Sequence, residues 1–147
     1  MYKHLLVPTD GTELSGKAVD HAIALARAIG ARVTALYVTS KPSMPSFFDG
    51  AINDPSADGQ NAAWAKREAD GILGGVVKKA AASGVQCDTI HAVTDAPWEE
   101  ILASARKRKC DAIVMASHGR RGLSALVLGS EAQKVLTHGK LPVLIVR

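Results

Sequence analysis

Aromatic residues are scarce in this chain, at 4% of its 147 residues. Proteins that bind single-stranded nucleic acid stack bases on aromatic side chains, so this scarcity argues against that class. There are two cysteines, Cys87 and Cys110, and they have neither the spacing of metal ligands nor the density of a secreted disulfide scaffold. We therefore expect reduced, partly buried thiols and an aliphatic core.

Long apolar runs are also missing. No stretch approaches the roughly 20 residues that a membrane span requires, and the N-terminus begins in a strand-like segment rather than a signal peptide. The expected location is the cytoplasm. The net charge of +4 gives only a weak preference for anionic partners. The length and the 47% hydrophobic content predict a single globular domain over residues 1–147.

Apolar periodicity divides the chain into alternating strands and helices. This alternation predicts an α/β fold with parallel strands, right-handed crossovers and helices on both faces of a doubly wound sheet. The predicted strands are Lys3–Pro8, Arg32–Val38, Gln86–Val93, Ala112–Ala116 and Leu141–Val146, and the predicted helices are Leu14–Ile29, Ala62–Ser83, Pro97 to about Lys109, and one from Ser130.

One long loop, Ser40–Asn61, interrupts the alternation. A loop of this length inside a compact domain is usually functional or disordered. Phe47 and Phe48 within it are interpreted as a small hydrophobic anchor.

The fourth strand leads into a loop that carries Gly119, Gly122 and Gly129, after which Ser130 is expected to open a helix. Ser130 and Gln133 have the spacing of a capping box, and Asp95 or a neighbour is expected to cap the preceding helix. A strand, a glycine-rich loop and a helix N-terminus together make an anion site. The alternative is that these glycines are ordinary turn residues.

A doubly wound sheet places its ligand site where strand order reverses, at the carboxyl ends of the strands. Two strand ends carry suitable side chains. Pro8-Thr9-Asp10 follows the first strand, and Ser117-His118-Gly119 follows the fourth. If these strands are neighbours, Asp10 and the glycine loop face one cleft, although Asp10 could instead serve as a turn former or cap.

Together these motifs resemble the universal stress protein family. Its first strand ends in Pro-x-Asp, as in Pro8-Thr9-Asp10, and its second in a pair matched by Tyr37-Val38. Its motif Gly-x-x-Gly-x9-Gly-Ser is matched from Ala116 to Ser130. The last strand is matched by Leu141–Val146, and the similarity covers the whole chain except Ser40–Asn61.

The resemblance implies a Rossmann-like, five-stranded parallel sheet of order 3-2-1-4-5 and an ATP site, with AMP or ADP as alternative ligands. Asp10 would lie near the ribose and the backbone of Val38 near adenine, with Mg²⁺ or Mn²⁺ as a candidate companion of the phosphates. The resemblance also implies a homodimer through Val143–Val146 and a nucleotide-dependent stress-response or signalling role. The phosphates would be wrapped by Gly119, Gly129, Ser130 and the amide of Glu131, and the neighbouring site residues are Pro8, Thr9, Met115, Ala116, His118 and Arg120.

The chain departs from the family motif at its first glycine, which is Ala116 here. If that position requires a positive φ, a β-carbon costs about 1 kcal/mol or more. If the position is extended, alanine is tolerated.

Three other functions remain open. Asp10, Ser117 and His118 are suitable residue types for slow ATP hydrolysis, although no Walker or nucleophile-elbow pattern is present. A nucleotide-free dimeric interaction module is a second possibility. Nucleic-acid binding through Gly119–Gly122 and Arg106–Lys109 is the weakest, because the Gly-x-x-Gly clamp of KH domains joins two helices whereas this one follows a strand. A phospho-receiver is excluded, since Asp10 has no acidic neighbour and no lysine follows the last strand.

Overall fold

The computed structural model describes residues 1–41, 55–120 and 127–147, and residues 55–58 by their backbone only. The sheet has five parallel strands in the order β3-β2-β1-β4-β5, which confirms the predicted fold. Among the described residues, no helix is long and apolar enough to cross a membrane. The elements are β1 His4–Thr9, α1 Glu13–Ile29, β2 Arg32–Thr39, α2 Pro55–Ala82, β3 Cys87–Val93, α3 Pro97–Lys107, β4 Ala112–Ala116, α4 Ser130–His138 and β5 Val143–Val146.

The sheet separates two hydrophobic cores, because successive strand side chains point to opposite faces. Leu5 and Val7 of β1 are fully buried on the face covered by α1 and α2. Leu6, between them, is fully buried on the other face, against residues of α3 and α4. Burial on both faces explains why β1 is a continuous apolar run rather than an alternating one.

Local interactions fix the two ends of α1. The Thr12 side chain caps the first turn by accepting a hydrogen bond from the backbone N–H of Ser15. Gly30 ends the helix in the left-handed region, with φ 69°, a conformation that glycine adopts at little cost.

A crevice opens because β1 and β4 separate toward their carboxyl ends. Their register contains only the pairs Leu5 with Ala112 and Leu6 with Ile113, whereas β1 pairs with β2 along its whole length. Pro8 lies two residues beyond the last β1–β4 pair and has no N–H to contribute to the sheet. The strand-order reversal lies between these two strands, which is where a doubly wound sheet is expected to bind its ligand.

The predicted loop boundary at Asn61 is wrong, since α2 begins at Pro55. The first turns of α2 are polar and lack apolar periodicity, and Pro55 occupies a first-turn position that proline tolerates. Phe47 and Phe48 lie outside the described residues, as do Arg121 and Gly122.

The predicted capping box at Ser130 is wrong, whereas the N-cap of α3 falls on Ala96, a neighbour of Asp95 as predicted. The N-cap of α4 is Gly129 in an extended conformation, and Ser130 is already helical, so the predicted capping box does not form. The N-cap of α3 is Ala96, while the Asp95 carboxylate accepts a hydrogen bond from the backbone N–H of Lys41 at 3.1 Å.

Candidate functional site

Asp10 lies just beyond the end of β1 and joins two loops at the crevice. Its Oδ1 accepts hydrogen bonds from the backbone N–H and the hydroxyl of Thr12, at 3.0 and 2.6 Å. Its Oδ2 accepts one from the backbone N–H of Arg120 at 2.9 Å. The carboxylate thus fixes both the start of α1 and the loop after β4.

These hydrogen bonds determine the charge of Asp10. Burial alone would raise its pKa, but the bonds from Thr12 and Arg120 to the carboxylate bring that pKa below the ordinary value. Asp10 is therefore ionised at neutral pH. A carboxylate has about four lone-pair positions, so three accepted bonds leave room for one further donor, such as a ligand hydroxyl.

Gly119 allows the loop after β4 to approach Asp10 closely. A β-carbon built on Gly119 would lie 2.6 Å from Oδ2 of Asp10. A side chain at this position would therefore displace either the loop or the carboxylate.

The Arg120 side chain crosses the end of β1 and reaches the α2 side of the sheet. Its Nε donates to the backbone carbonyl of Asp10 at 2.9 Å. Its Nη2 donates to the Tyr37 hydroxyl at 3.3 Å and to Glu68 Oε1 at 3.1 Å. Sequence reasoning missed Glu68, because a single acid within a helical pattern gives no signal of contact with a loop 52 residues away.

The loop between β4 and α4 closes back on the end of β4. The backbone N–H of Gly129 donates to the carbonyl of Ser117 at 2.7 Å. A β-carbon on Gly129 would lie 2.9 Å from that carbonyl oxygen and 3.0 Å from Cα of His118. Gly129 is therefore required for the close approach of the residue before α4 to the end of β4.

The N-terminus of α4 has no side-chain cap. The first intrahelical acceptor is the Gly129 carbonyl, which bonds the N–H of Gln133. Among the described residues, nothing accepts from the N–H groups of Ser130, Glu131 and Ala132. An anion at this position would accept hydrogen bonds from these three donors and would be favoured by the positive end of the helix dipole.

The Glu131 carboxylate turns away from that anion site. Its Oε2 accepts from the backbone N–H of Trp98 at 2.8 Å, which supplies the cap that α3 otherwise lacks. Its Oε1 accepts from Lys134 at 3.3 Å. Glu131 therefore offers a ligand its backbone amide and not its carboxylate.

The other predicted residues lie along the same edge of the sheet. Ala116 is the last residue of β4 and does not have a positive φ. Within the described ranges, Lys109 is the one non-glycine residue that does. The alanine therefore causes no backbone strain at this position of the motif. Met115 is buried in the core beneath α3 and α4, and Val38 packs against that core, so neither side chain faces the proposed ligand. His118 Nδ1 lies 3.1 Å from the hydroxyl of the buried Ser117.

Comparison with known proteins gives one consistent result. The sequence model of the universal stress protein family matches residues 1–147. A universal stress protein of Bacillus subtilis, YxiE, is 36% identical over an alignment that covers all of both chains. The solved structure of MJ0577 from Methanocaldococcus jannaschii superposes with a TM-score of 0.83 at 28% identity, covering 99% of this chain and 96% of that one. A universal stress protein solved in complex with cAMP gives a TM-score of 0.69 at 27% identity, covering 99% and 97%.

Proposed function

The chain belongs to the universal stress protein family, and we propose that it binds ATP in the crevice between β1 and β4 and acts as a nucleotide-dependent stress-response or signalling module. The observation that carries this proposal is the uncapped N-terminus of α4, with three unpartnered N–H groups among the described residues. Phosphate oxygens would complete those hydrogen bonds. The cAMP complex of a relative supports a nucleotide as the ligand class.

We propose that the ribose and the adenine bind in the same crevice. Asp10 retains one acceptor position, which suits a ribose hydroxyl. The β1–β2 register ends at Thr9 with Tyr37, so Val38 lies beyond it without a β1 partner. We propose that the backbone of Val38 contacts adenine there.

The number of phosphate groups would determine the proposed preference for ATP over ADP or AMP. Gly119 and Arg120 hold one end of the loop at Asp10, while Gly129 to Glu131 form the other end at α4. A triphosphate would engage more of these donors than a monophosphate. Among the described residues, no group of three or more His, Cys, Asp or Glu could hold a metal ion, so Mg²⁺ or Mn²⁺ would be bound mainly by phosphate oxygens.

We place the protein in the cytoplasm. Cys87 and Cys110 are both free thiols. They belong to the cores on opposite faces of the sheet, so they do not form a pair with each other. Thiols of this kind suit a reducing compartment.

The test begins with the purified protein. Denaturation and anion exchange of the supernatant identify any bound nucleotide, and ATP is then titrated calorimetrically into the stripped protein. We expect micromolar or tighter binding that Gly129→Ala weakens at least tenfold. Gly16→Ala is the matched control, because its added β-carbon meets nothing within 4 Å. Absence of both nucleotide and heat would overturn the proposal.

We also propose a homodimer through β5. Among the described residues this strand pairs only with β4; it is apolar throughout, and Leu144 is 46% exposed. Exposed apolar edge strands promote pairing with a second chain. The opposite edge, β3, instead carries Asp88 and His91. Antiparallel pairing of two β5 strands would cover Leu144 and extend the sheet across both subunits.

The dimer is tested by sedimentation at micromolar protein. We expect the wild-type mass to be that of two chains and Leu144→Lys to shift it to one. Val93→Lys, at the exposed end of β3, is the control and should stay dimeric. A monomeric wild type would exclude this interface. The alternative function, a nucleotide-free dimeric module, would combine a dimeric mass with no ATP binding.

A further inference from the structure

Arg120 lies in the loop between β4 and α4, yet its side chain pairs with α2. The ion pair with Glu68 is 3.1 Å long, and the same guanidinium nitrogen lies 3.3 Å from the Tyr37 hydroxyl. Within the described part of the chain, these contacts and the bond to the Asp10 carbonyl use Nε and Nη2. The guanidinium therefore spans the carboxyl ends of β1 and β2.

The backbone and the side chain of Arg120 are held by different partners. The backbone N–H is anchored by the Asp10 carboxylate at 2.9 Å, independently of Glu68. The side chain can therefore change partners while the loop stays attached to Asp10. Because the Arg120 side chain is long and can adopt several rotamers, it can exchange partners without movement of the backbone.

The ion pair between the Arg120 guanidinium and Glu68 is weak. The side chain of Arg120 is 53% exposed and that of Glu68 is 26% exposed, and ion pairs with this exposure contribute little because water screens them. A phosphate group carries more charge and accepts bidentate bonds from a guanidinium. A phosphate in the crevice would outcompete the single, partly exposed carboxylate of Glu68.

We propose that Arg120 is a switch residue that pairs with Glu68 of α2 when the crevice holds no phosphate and with the nucleotide phosphates when it does. This inference rests on the proposed function. Glu68 acts through Arg120 and is therefore a positioning residue that competes with the ligand. Because the exchange breaks the tie between α2 and the β4–α4 loop, α2 reports whether phosphate is bound.

The test measures ATP affinity calorimetrically and adenosine affinity by displacement, at one fixed salt concentration. Glu68→Gln keeps the size of the side chain and removes its charge, so we expect it to bind ATP about twofold to fivefold more tightly, the range for a partly exposed ion pair. Adenosine has no phosphate, and its affinity should be unchanged. Arg120→Gln should weaken ATP binding and abolish the effect of Glu68→Gln in the double variant.

The control is Asp70→Asn, which removes the same charge from the same helix. Asp70 pairs with Lys66 at 2.9 Å rather than with Arg120, so ATP affinity should not change. Thermal unfolding of each variant confirms folding, and Glu68→Ala serves as a second variant.

The outcomes separate the switch from the site itself. ATP binding that Glu68→Gln leaves unchanged, an equal gain for adenosine, or a gain that persists without Arg120 would overturn the switch alone. No ATP binding by the wild type or any variant would overturn the proposed function, and the switch with it.

Discussion

Asp10 and Arg120, 110 residues apart in the chain, are joined by two hydrogen bonds of 2.9 Å. The backbone N–H of Arg120 donates to the Asp10 carboxylate, and its Nε donates to the Asp10 carbonyl. Together they tie the loop after β4 to the loop after β1, across the point where these strands separate. These contacts therefore hold the two loops together at the carboxyl ends of β1 and β4.

The first prediction concerns the charge of Asp10. Its pKa lies below the ordinary 3.8 in the folded state, so the stability it provides is present above that pH and is lost as the pH falls through the folded pKa. Asp10→Asn should lower the free energy of unfolding at pH 7 by about 1–2 kcal/mol, since it loses a charge-assisted bond. Urea unfolding at pH 7 and pH 3 should show a smaller pH effect for this variant than for wild type. An unaltered pH effect would contradict the assignment, and Asp70→Asn is the exposed control.

A second prediction concerns the Glu131 carboxylate, which caps α3 from α4. Glu131→Ala should reduce stability by about 1 kcal/mol, as loss of a helix cap does, while ATP affinity changes less than twofold because the amide remains. Glu13→Ala removes a first-turn acid from α1 that is 91% exposed, and it serves as the control. A large loss of ATP affinity in Glu131→Ala would show that the carboxylate contacts the ligand.

His4 gives a pH dependence of the opposite sign. Burial, reinforced by Arg32, lowers the pKa of His4 below 6.5, and its Nε2 lies 2.7 Å from the Thr34 hydroxyl. The unfolded chain therefore binds a proton that the folded chain excludes, so stability falls as the pH drops below about 6.5.

Between pH 7.5 and pH 5.5, His4 should lower the free energy of unfolding by at most about 1.4 kcal/mol. This is the free energy that corresponds to one pH unit below the pKa of the unfolded histidine. His4→Gln should remove that part of the loss, whereas the exposed His21→Gln should not. Denaturant unfolding at the two pH values measures it. Equal losses in wild type and His4→Gln would rule His4 out.

The fourth prediction concerns α2, which contains Gly75 on its exposed face. A β-carbon added there meets nothing within 4 Å, so Gly75→Ala should stabilise the protein by about 1 kcal/mol through helix propensity. Gly139→Ala should destabilise it, because the added carbon would lie 2.5 Å from the Val135 carbonyl oxygen. Thermal unfolding distinguishes the two, and a destabilising Gly75→Ala would reveal a neighbour packed on α2.

Local patterns predicted most of the fold. The buried run Ala112–Ala116 is observed with the same bounds, and Gly30 ends α1 as expected. Both features depend on a few adjacent residues, so sequence alone determines them. The strand order followed from the family resemblance, which rests on motifs spread along the whole chain.

The missed features are contacts between distant elements. Glu68 meets Arg120, and Glu131 meets Trp98, only because the sheet brings their helices and loops together. The predicted capping box failed for a related reason. Gly129 must approach the Ser117 carbonyl closely, and its extended backbone takes the N-cap position that Ser130 was expected to hold.

The central claim is that nucleotide phosphates bind at the N-terminus of α4, and amide NMR shifts during an ATP titration test it most directly. The largest shifts should fall on Ser130, Glu131 and Gly119. Small or absent shifts there would contradict the claim. So would shifts concentrated in the groove that Asp20, Arg27 and Lys79 line between α1 and α2.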